Sequence, residues 1–234
     1  MQPECDGCGA HFTLQHALEC KKGGLIHVRH NEVKAELTEL CSLALSPSSV
    51  RDEPLINPVP LNTDKKSQES NNNQPTDSQE TVSNDGDRGD ILVRGLHQNG
   101  KDCIIDVRVT DLDSKSYLSR APAKVLKTQE KEKRSKYLEP CLQQRRSFVP
   151  FVVSTDGMLG YEANNLLKCL ARKLAGRWKR PYSVVCSLVR TRVAIAIARA
   201  THLCIRGSRV PASQTSRRIL WEDGAGVSLF ETDY

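Results

Sequence analysis

Large apolar side chains and aromatic rings are scarce in this sequence. Hydrophobic residues make up 38% of the 234 residues and aromatic residues 5%, which indicates that part of the chain does not form a packed core. The longest apolar run, 193–198, is bounded by Arg192 and Arg199, so no segment predicts a membrane span. The first residues form no apolar secretory stretch. We therefore expect the nucleus, or the cytoplasm before nuclear import, rather than secretion.

An even set of cysteines, the usual mark of a disulfide framework, is also lacking. The chain has 9 Cys, of which the first three cluster near the amino end while the others are spread singly. The clustered ones are typical of metal ligands. The scattered ones are more typical of small core residues than of reactive thiols: Cys41, Cys103, Cys141, Cys169, Cys186 and Cys204.

Acidic residues are few between positions 115 and 218, where 23 Lys and Arg stand against 5 Asp and Glu. The net charge of +6 therefore combines a strongly basic region with acidic flanks. Such a region predicts phosphate contacts with a nucleic acid, and a solvated helix face is the alternative. Few aromatic residues accompany it, which favours duplex DNA over stacked single strands. The candidate DNA-binding residues are Lys168, Arg172, Lys173, Arg192, Arg199 and Arg206.

The first 24 residues contain a metal-ligand pattern, Cys5-x2-Cys8-x7-His16-x3-Cys20. Two Cys separated by two residues can reach one tetrahedral ion, and His16 and Cys20 share one face of a helical turn. A closed Cys3His site would hold zinc for structure rather than catalysis. The module would then bind nucleic acid or support the next domain. The alternative is that these Cys and His residues cluster by chance. His11 is a competing ligand.

Hydrophobic periodicity predicts an α/β domain in the order helix, strand, strand, helix, strand, helix, helix. The expected elements are a helix at 31–45, a hairpin of strands 91–96 and 103–109 turning at Asn99-Gly100, a helix at 123–138, a strand at 147–154 and helices at 161–178 and 181–205. Segment 47–88 is rich in Pro, Ser, Asn and Gln, which predicts a disordered acidic insertion. The expected division is finger 1–24, first helix 25–46, insertion 47–88, core 89–209 and flexible tail 210–234.

Two carboxylates fall on the predicted hairpin. Asp90 opens its first strand, and Asp106 lies inside the second among branched apolar residues. A carboxylate in such a strand is costly unless a cation compensates it. Two of them on neighbouring strands are suited to Mg²⁺ or Mn²⁺. The alternative is a single salt bridge of Asp106, either with Arg108, two residues on and on the same face, or with another cation.

A basic pattern follows on the helix predicted at 123–138. Lys133, Lys136 and Tyr137 are three and four positions apart and share one helical face. An ammonium there could orient water or hold a phosphate. A solvated helix face is the alternative interpretation.

Together these motifs resemble the carboxyl-terminal region of non-LTR retrotransposon proteins, which carries a zinc finger and a restriction-enzyme-like endonuclease of the PD-(D/E)XK superfamily. Besides the finger, the hairpin and the Lys-x-x-Lys-Tyr helix, the similar stretches are 16–20, Gly23-Gly24, 29–32, 106–109, 148–155 and 204–209. The likeness spans the chain apart from 47–88 and the tail. It implies a restriction-endonuclease-like core behind the finger.

The resemblance also implies roles for individual residues. Asp90 and Asp106 match the two metal-binding acids, Glu32 matches an acid that supports the metal, and Lys133 or Lys136 fills the lysine role. The implied activity is metal-dependent nicking of target DNA, with retroelement RNA or reverse transcriptase as further partners.

The sequence departs from the family pattern in two places. Gly89 replaces the signature Pro, which does no chemistry, and Arg108 stands where the base Lys is usual. The alternatives are a catalytically inactive, exapted DNA-binding module and a zinc-stabilised protein-interaction domain.

Overall fold

A four-stranded mixed sheet forms the centre of the protein in the computed structural model, which describes residues 3–56, 87–97 and 100–209. Its strands are β1 (Val50–Asp52), β2 (Ile91–Val93), β3 (Cys103–Thr110) and β4 (Ser147–Ser154), in that spatial order. The first three run antiparallel, and β4 joins β3 in parallel. The α/β prediction is therefore confirmed.

Helices cover both faces of the sheet. They are α1 (Leu14–Glu19), α2 (Leu25–Ala44), α3 (Pro122–Gln143), α4 (Tyr161–Trp178) and α5 (Tyr182–Arg206). The larger core cluster joins one face of the sheet to α2, α4 and α5, and a smaller cluster joins the other face to α3. Within the described ranges, no helix is long and apolar enough to cross a membrane.

The side chains of β3 point alternately to the two faces of the sheet. Ile105 and Val107 point into the larger core, whereas Ile104 packs with Tyr137 of α3 and Phe148 of β4 on the other face. Side chains two residues apart on a strand share a face. Asp106 therefore lies on the α3 side of the sheet.

Two predicted helix boundaries are wrong. Helix α2 begins at Leu25, six residues before the start at 31 predicted from periodicity and at the start of the 25–46 division. Gly24 precedes it in the left-handed conformation (φ 73°) with no side-chain cap. Helix α3 continues to Gln143 with Pro140 inside it. Since Pro140 lies in the last turn, only one backbone hydrogen bond near the helix end is forfeited.

The predicted disorder of segment 47–88 is wrong at both of its ends. Residues 47–49 form a 3-10 turn, and β1 pairs as an edge strand with β2. Leu55 bridges Arg88, and the Ile56 N–H donates to Asp87 O at 2.7 Å. Residues 57–86, the tail from 210 onwards and Asn99 of the predicted turn lie outside the described residues.

Deletion of 57–86 is expected to leave the fold intact. The two residues that flank the segment are already joined by a hydrogen bond in an antiparallel ladder, so an Asn-Gly turn can connect them. Shortening the loop reduces the entropy of closure and adds up to about 2 kcal/mol of stability. Thermal unfolding checks this prediction, and a lowered melting temperature would contradict it.

Candidate functional site

Four side chains near the amino end meet in one cluster. Cys20 Sγ lies 3.9 Å from both Cys5 Sγ and Cys8 Sγ, and His16 Nε2 lies 3.3 Å from Cys8 Sγ. All four ligand atoms are within 4.8 Å of one another. Ligand atoms of a tetrahedral zinc site with bonds of about 2.3 Å are ~3.8 Å apart. This Cys3His cluster could therefore bind a metal such as zinc.

Local structure explains how the cluster forms. Glu4 bridges His11 across a short turn that carries the first two ligands, and His11 is not a member of the cluster. Thr13 Oγ1 accepts from the His16 N–H at 3.0 Å and caps α1, and the Cys20 N–H donates to His16 O at 2.8 Å. Helix α1 therefore holds His16 and Cys20 at the spacing that the sequence predicted.

The thiols of the cluster differ in pKa. Desolvation raises the pKa of Cys5, but hydrogen bonds from the Gly7 N–H and from His16 lower it to about 6. At Cys8 a backbone hydrogen bond lowers the pKa, but desolvation and the neighbouring thiols of Cys5 and Cys20 raise it above its usual value. A bound cation would relieve this crowding of negative charge.

The finger, residues 3–24 of the described chain, is fastened to the end of α5 through Arg209. This residue is 2% exposed. Its guanidinium donates to Ala17 O at 2.9 Å and to Cys204 O, and it lies 5.2 Å from the centre of the Phe12 ring. The Arg209 N–H donates to Asp6 Oδ2 at 2.8 Å. Side chain and backbone of one residue therefore both contact the finger.

Two glycines make this contact sterically possible. A Cβ at Gly23 would lie 2.4 Å from Arg209 Cα, and one at Gly7 would lie 2.6 Å from Arg209 Cβ. Gly23 also has a positive φ of 72°, which other residues rarely adopt. A small apolar cluster of Leu18, Leu25 and Cys204 adds to the contact. The geometry favours a buttressing role for the finger over an independent one.

A second group of polar side chains gathers on the α3 side of the sheet. Ile91 pairs with Ile105, so the strand register brings Asp90 beside Asp106. The Val107 N–H donates to Asp90 Oδ2 at 2.6 Å. The two predicted carboxylates therefore meet where β2 begins, next to the middle of β3.

Asp106 is paired with Lys133. The Asp106 side chain is 7% exposed, and Lys133 Nζ lies 2.6 Å from its Oδ2 atom. This ion pair matches the salt-bridge interpretation of Asp106, with Lys133 rather than Arg108 as the cation. Burial raises the pKa of Asp106, and the nearby charge of Asp90 adds to that effect, while Lys133 opposes it. Two carboxylates therefore lie close enough to influence each other's pKa, with Lys133 as the cation beside Asp106.

Asp90 is held by His30 of α2. His30 Nε2 lies 3.1 Å from Asp90 Oδ2, and this contact raises the pKa of the imidazole. Burial would raise the pKa of Asp90, but the hydrogen bond and charge of His30, with the Val107 N–H, lower it. Asp90 is therefore the more acidic carboxylate of the two, and groups from two elements hold it in place.

Several predicted contacts do not occur. Lys136 Nζ pairs with Asp87 at 2.9 Å and donates to the Tyr137 hydroxyl, which raises the pKa of the amine. Arg108 pairs with Glu132 at 2.8 Å rather than with Asp106. Glu32 makes no ion pair with any described residue. Lys133 is thus the lysine that reaches the carboxylates.

Two residues of the site were not expected from the sequence. His30 precedes Glu32 by two positions, which places the two side chains on different sides of α2. Gln129 is buried one turn before Lys133; it accepts a hydrogen bond from Thr110 Oγ1 and donates to the Tyr117 hydroxyl at 3.3 Å. Gln129 therefore fixes α3 over β3 and sets the position of Lys133.

The predicted DNA-binding residues lie on the other side of the sheet from Asp106, because α4 and α5 pack on the larger core. Arg192 pairs with Glu36 and Glu39 at 2.6 and 2.9 Å, and Lys173 donates to Gly95 O at 3.2 Å. The remaining candidates make no ion pair with described residues: Lys168, Arg172, Arg199 and Arg206. Of the six candidates, Arg192 is thus the one paired with described acids, and all six lie on helices of the layer opposite α3.

The buried Asp106 carboxylate and the adjacent Asp90 carboxylate are oxygen ligands of the kind that a hard divalent cation prefers. Mg²⁺ commonly binds through one or two carboxylates and keeps several waters. The described part of the chain shows only one group of three or more clustered His, Cys, Asp or Glu ligands, the Cys3His set. Asp90 and Asp106 are therefore the residues that would hold such an ion.

Known proteins offer no direct guide to these two sites. No family model matches the chain, and comparison with curated proteins gives no significant match. The chemistry of the Cys3His cluster and of the paired carboxylates follows from their own residues.

Proposed function

We propose that this protein is a metal-dependent DNA endonuclease domain of the restriction-enzyme-like type, with a structural zinc in its finger. The observation that carries the proposal is the strand register that brings Asp90 beside Asp106, together with the pairing of Lys133 with Asp106. Acidic pairs beside a lysine suit phosphodiester hydrolysis. The order of elements and the paired carboxylates also support the retroelement nuclease resemblance.

Each side chain has a separate task in this proposal. Asp90 and Asp106 would hold Mg²⁺ or Mn²⁺, which supplies a more acidic water and stabilises developing negative charge when bound. Lys133 holds its ammonium 2.6 Å from Asp106, where it can orient a water or a phosphate oxygen. His30 is a positioning residue that keeps the Asp90 carboxylate aimed at the same place.

Nicking of supercoiled plasmid tests the proposal. We expect relaxed circles with Mg²⁺ or Mn²⁺ and none with excess EDTA, because the two carboxylates need a cation to act on a phosphodiester. A short EDTA treatment that leaves the melting temperature unchanged separates this effect from loss of the finger metal. Salt-sensitive retention of DNA without nicking in either metal would support the inactive DNA-binding module instead.

A further inference from the structure

The surface that shares a layer with the carboxylates is the outer face of α3, and it carries three lysines. Lys124, Lys127 and Lys131 are exposed and recur at three and four positions, so they form one row along the helix. None of them makes an ion pair with a described residue. The row covers ~10 Å of the helix at 1.5 Å per residue.

A groove runs between this row and the amino end of α4. Its volume is about 1010 Å³, at the upper end of the range for ligand sites. The opposite wall is made by Met158, Leu159 and Tyr161. Tyr161 is 72% exposed and Met158 38%, so a ring and a thioether stand in solvent beside the lysines.

The acids in the groove are already engaged. Glu130 Oε1 accepts from the Glu162 N–H at 2.9 Å and thereby caps α4. Glu162 in turn pairs with Arg134 at 2.6 Å. Burial raises the pKa of Glu130 above its usual value, which reduces its ionised fraction further. Glu130 and Glu162 therefore form no ion pair with the lysines of the row.

We propose that this groove binds a single-stranded segment of nucleic acid. The lysines would contact successive phosphates, and Tyr161 would stack on an unpaired base, the combination that single-strand sites use. A duplex is too wide to place its bases against Tyr161 in such a groove. The inference does not depend on the proposed nuclease function.

Fluorescence anisotropy with labelled oligothymidine and oligouridine, in EDTA at modest salt, tests the inference. Tyr161→Ala is expected to weaken binding about 5- to 100-fold, the effect of losing one stacked base. Tyr182→Ala is the control, because Tyr182 is 42% exposed at the start of α5 and does not line the groove. It should change the affinity less than twofold. A preference for one oligonucleotide would tell whether DNA or RNA is the ligand.

The salt dependence gives a second readout. Combined Lys127→Gln and Lys131→Gln is expected to reduce the log–log salt slope by about 1.4, or 0.7 for each lost phosphate contact on a single strand. Equal binding of oligothymidine by wild type and Tyr161→Ala would overturn the inference. Complete displacement of the oligonucleotide by polyglutamate at equal charge concentration would also overturn the inference, because polyglutamate has no bases to stack. Because divalent ions are absent, a failed nicking assay leaves these results unaffected.

Discussion

Asp106→Asn is expected to reduce plasmid nicking by at least about 10²-fold, the usual effect of removing one preorganised electrostatic group from a reacting centre. The carboxylate is 7% exposed and lies 2.6 Å from Lys133 Nζ, so the substitution removes both a cation ligand and the partner of Lys133. Initial rates of relaxed-circle formation at saturating Mg²⁺ measure the loss. We expect Lys133→Met to be impaired as well, whereas Lys136→Met should nick at a rate close to wild type.

The fold should tolerate the same substitution. The pKa of Asp106 is raised by burial, so the folded protein binds this proton more tightly than the unfolded chain does. Ionisation at neutral pH therefore lowers stability, and the neutral amide removes that cost. We expect an unchanged or higher melting temperature for Asp106→Asn at pH 7.

Asp111→Asn is the matched control for nicking. Asp111 is buried to a similar degree at the end of β3, but its Oδ1 atom accepts from the Asp113 N–H at 3.1 Å in a turn that asparagine also forms. We expect nicking within twofold of wild type. Wild-type nicking by Asp106→Asn would refute the assignment of the site.

Loss of the finger metal is expected to lower the melting temperature by at least about 10 °C, the shift that a loss of about 4 kcal/mol produces in a domain of this size. Structural zinc contributes about 10–16 kcal/mol in finger peptides, and whole domains are stable by only about 5–15 kcal/mol. Without metal, the thiols of Cys5, Cys8 and Cys20 crowd one another, and we expect the contact between the finger and Arg209 to be lost.

Prolonged chelation and Cys8→Ser should both give this result. Metal analysis should find about one zinc per wild-type chain and little in Cys8→Ser. Cys186→Ser is the control, since Cys186 is a free, half-buried thiol on α5 outside the cluster, and it should keep the metal and the melting temperature. A metal-free wild-type protein with unchanged melting temperature would show that the cluster is not a structural site.

Elements with strong local patterns were predictable from the sequence. Strand β4 and helix α4 have the predicted bounds, because one is a continuous β-branched and aromatic run and the other has apolar residues at helical spacing. Strand β1 was missed because three residues with mostly exposed side chains give no signal of their own. Its pairing with β2 is a contact between distant parts of the chain.

The candidate site likewise combines features with a local sequence pattern and contacts between distant residues. The Cys3His cluster has a local spacing rule and was predicted completely. The choice of Lys133 over Lys136 depends on how α3 is rotated over Ile104 and Phe148, which one helical pattern does not reveal. His30 contacts a carboxylate 60 positions along the chain, and a polar residue on a helix otherwise predicts only solvent exposure.

The Arg209 contact has a consequence for the connectivity of the fold. It places the first turn of the finger against the residues that follow α5, with Asp6 Oδ2 2.8 Å from the Arg209 N–H. The described chain thus closes into a ring, and the hydrogen bond between Ile56 and Asp87 marks a second point where distant positions adjoin. Chains with adjacent ends tolerate circular permutation. New termini opened within 57–86, with a short linker joining residue 209 to residue 3, would therefore keep every described element in place.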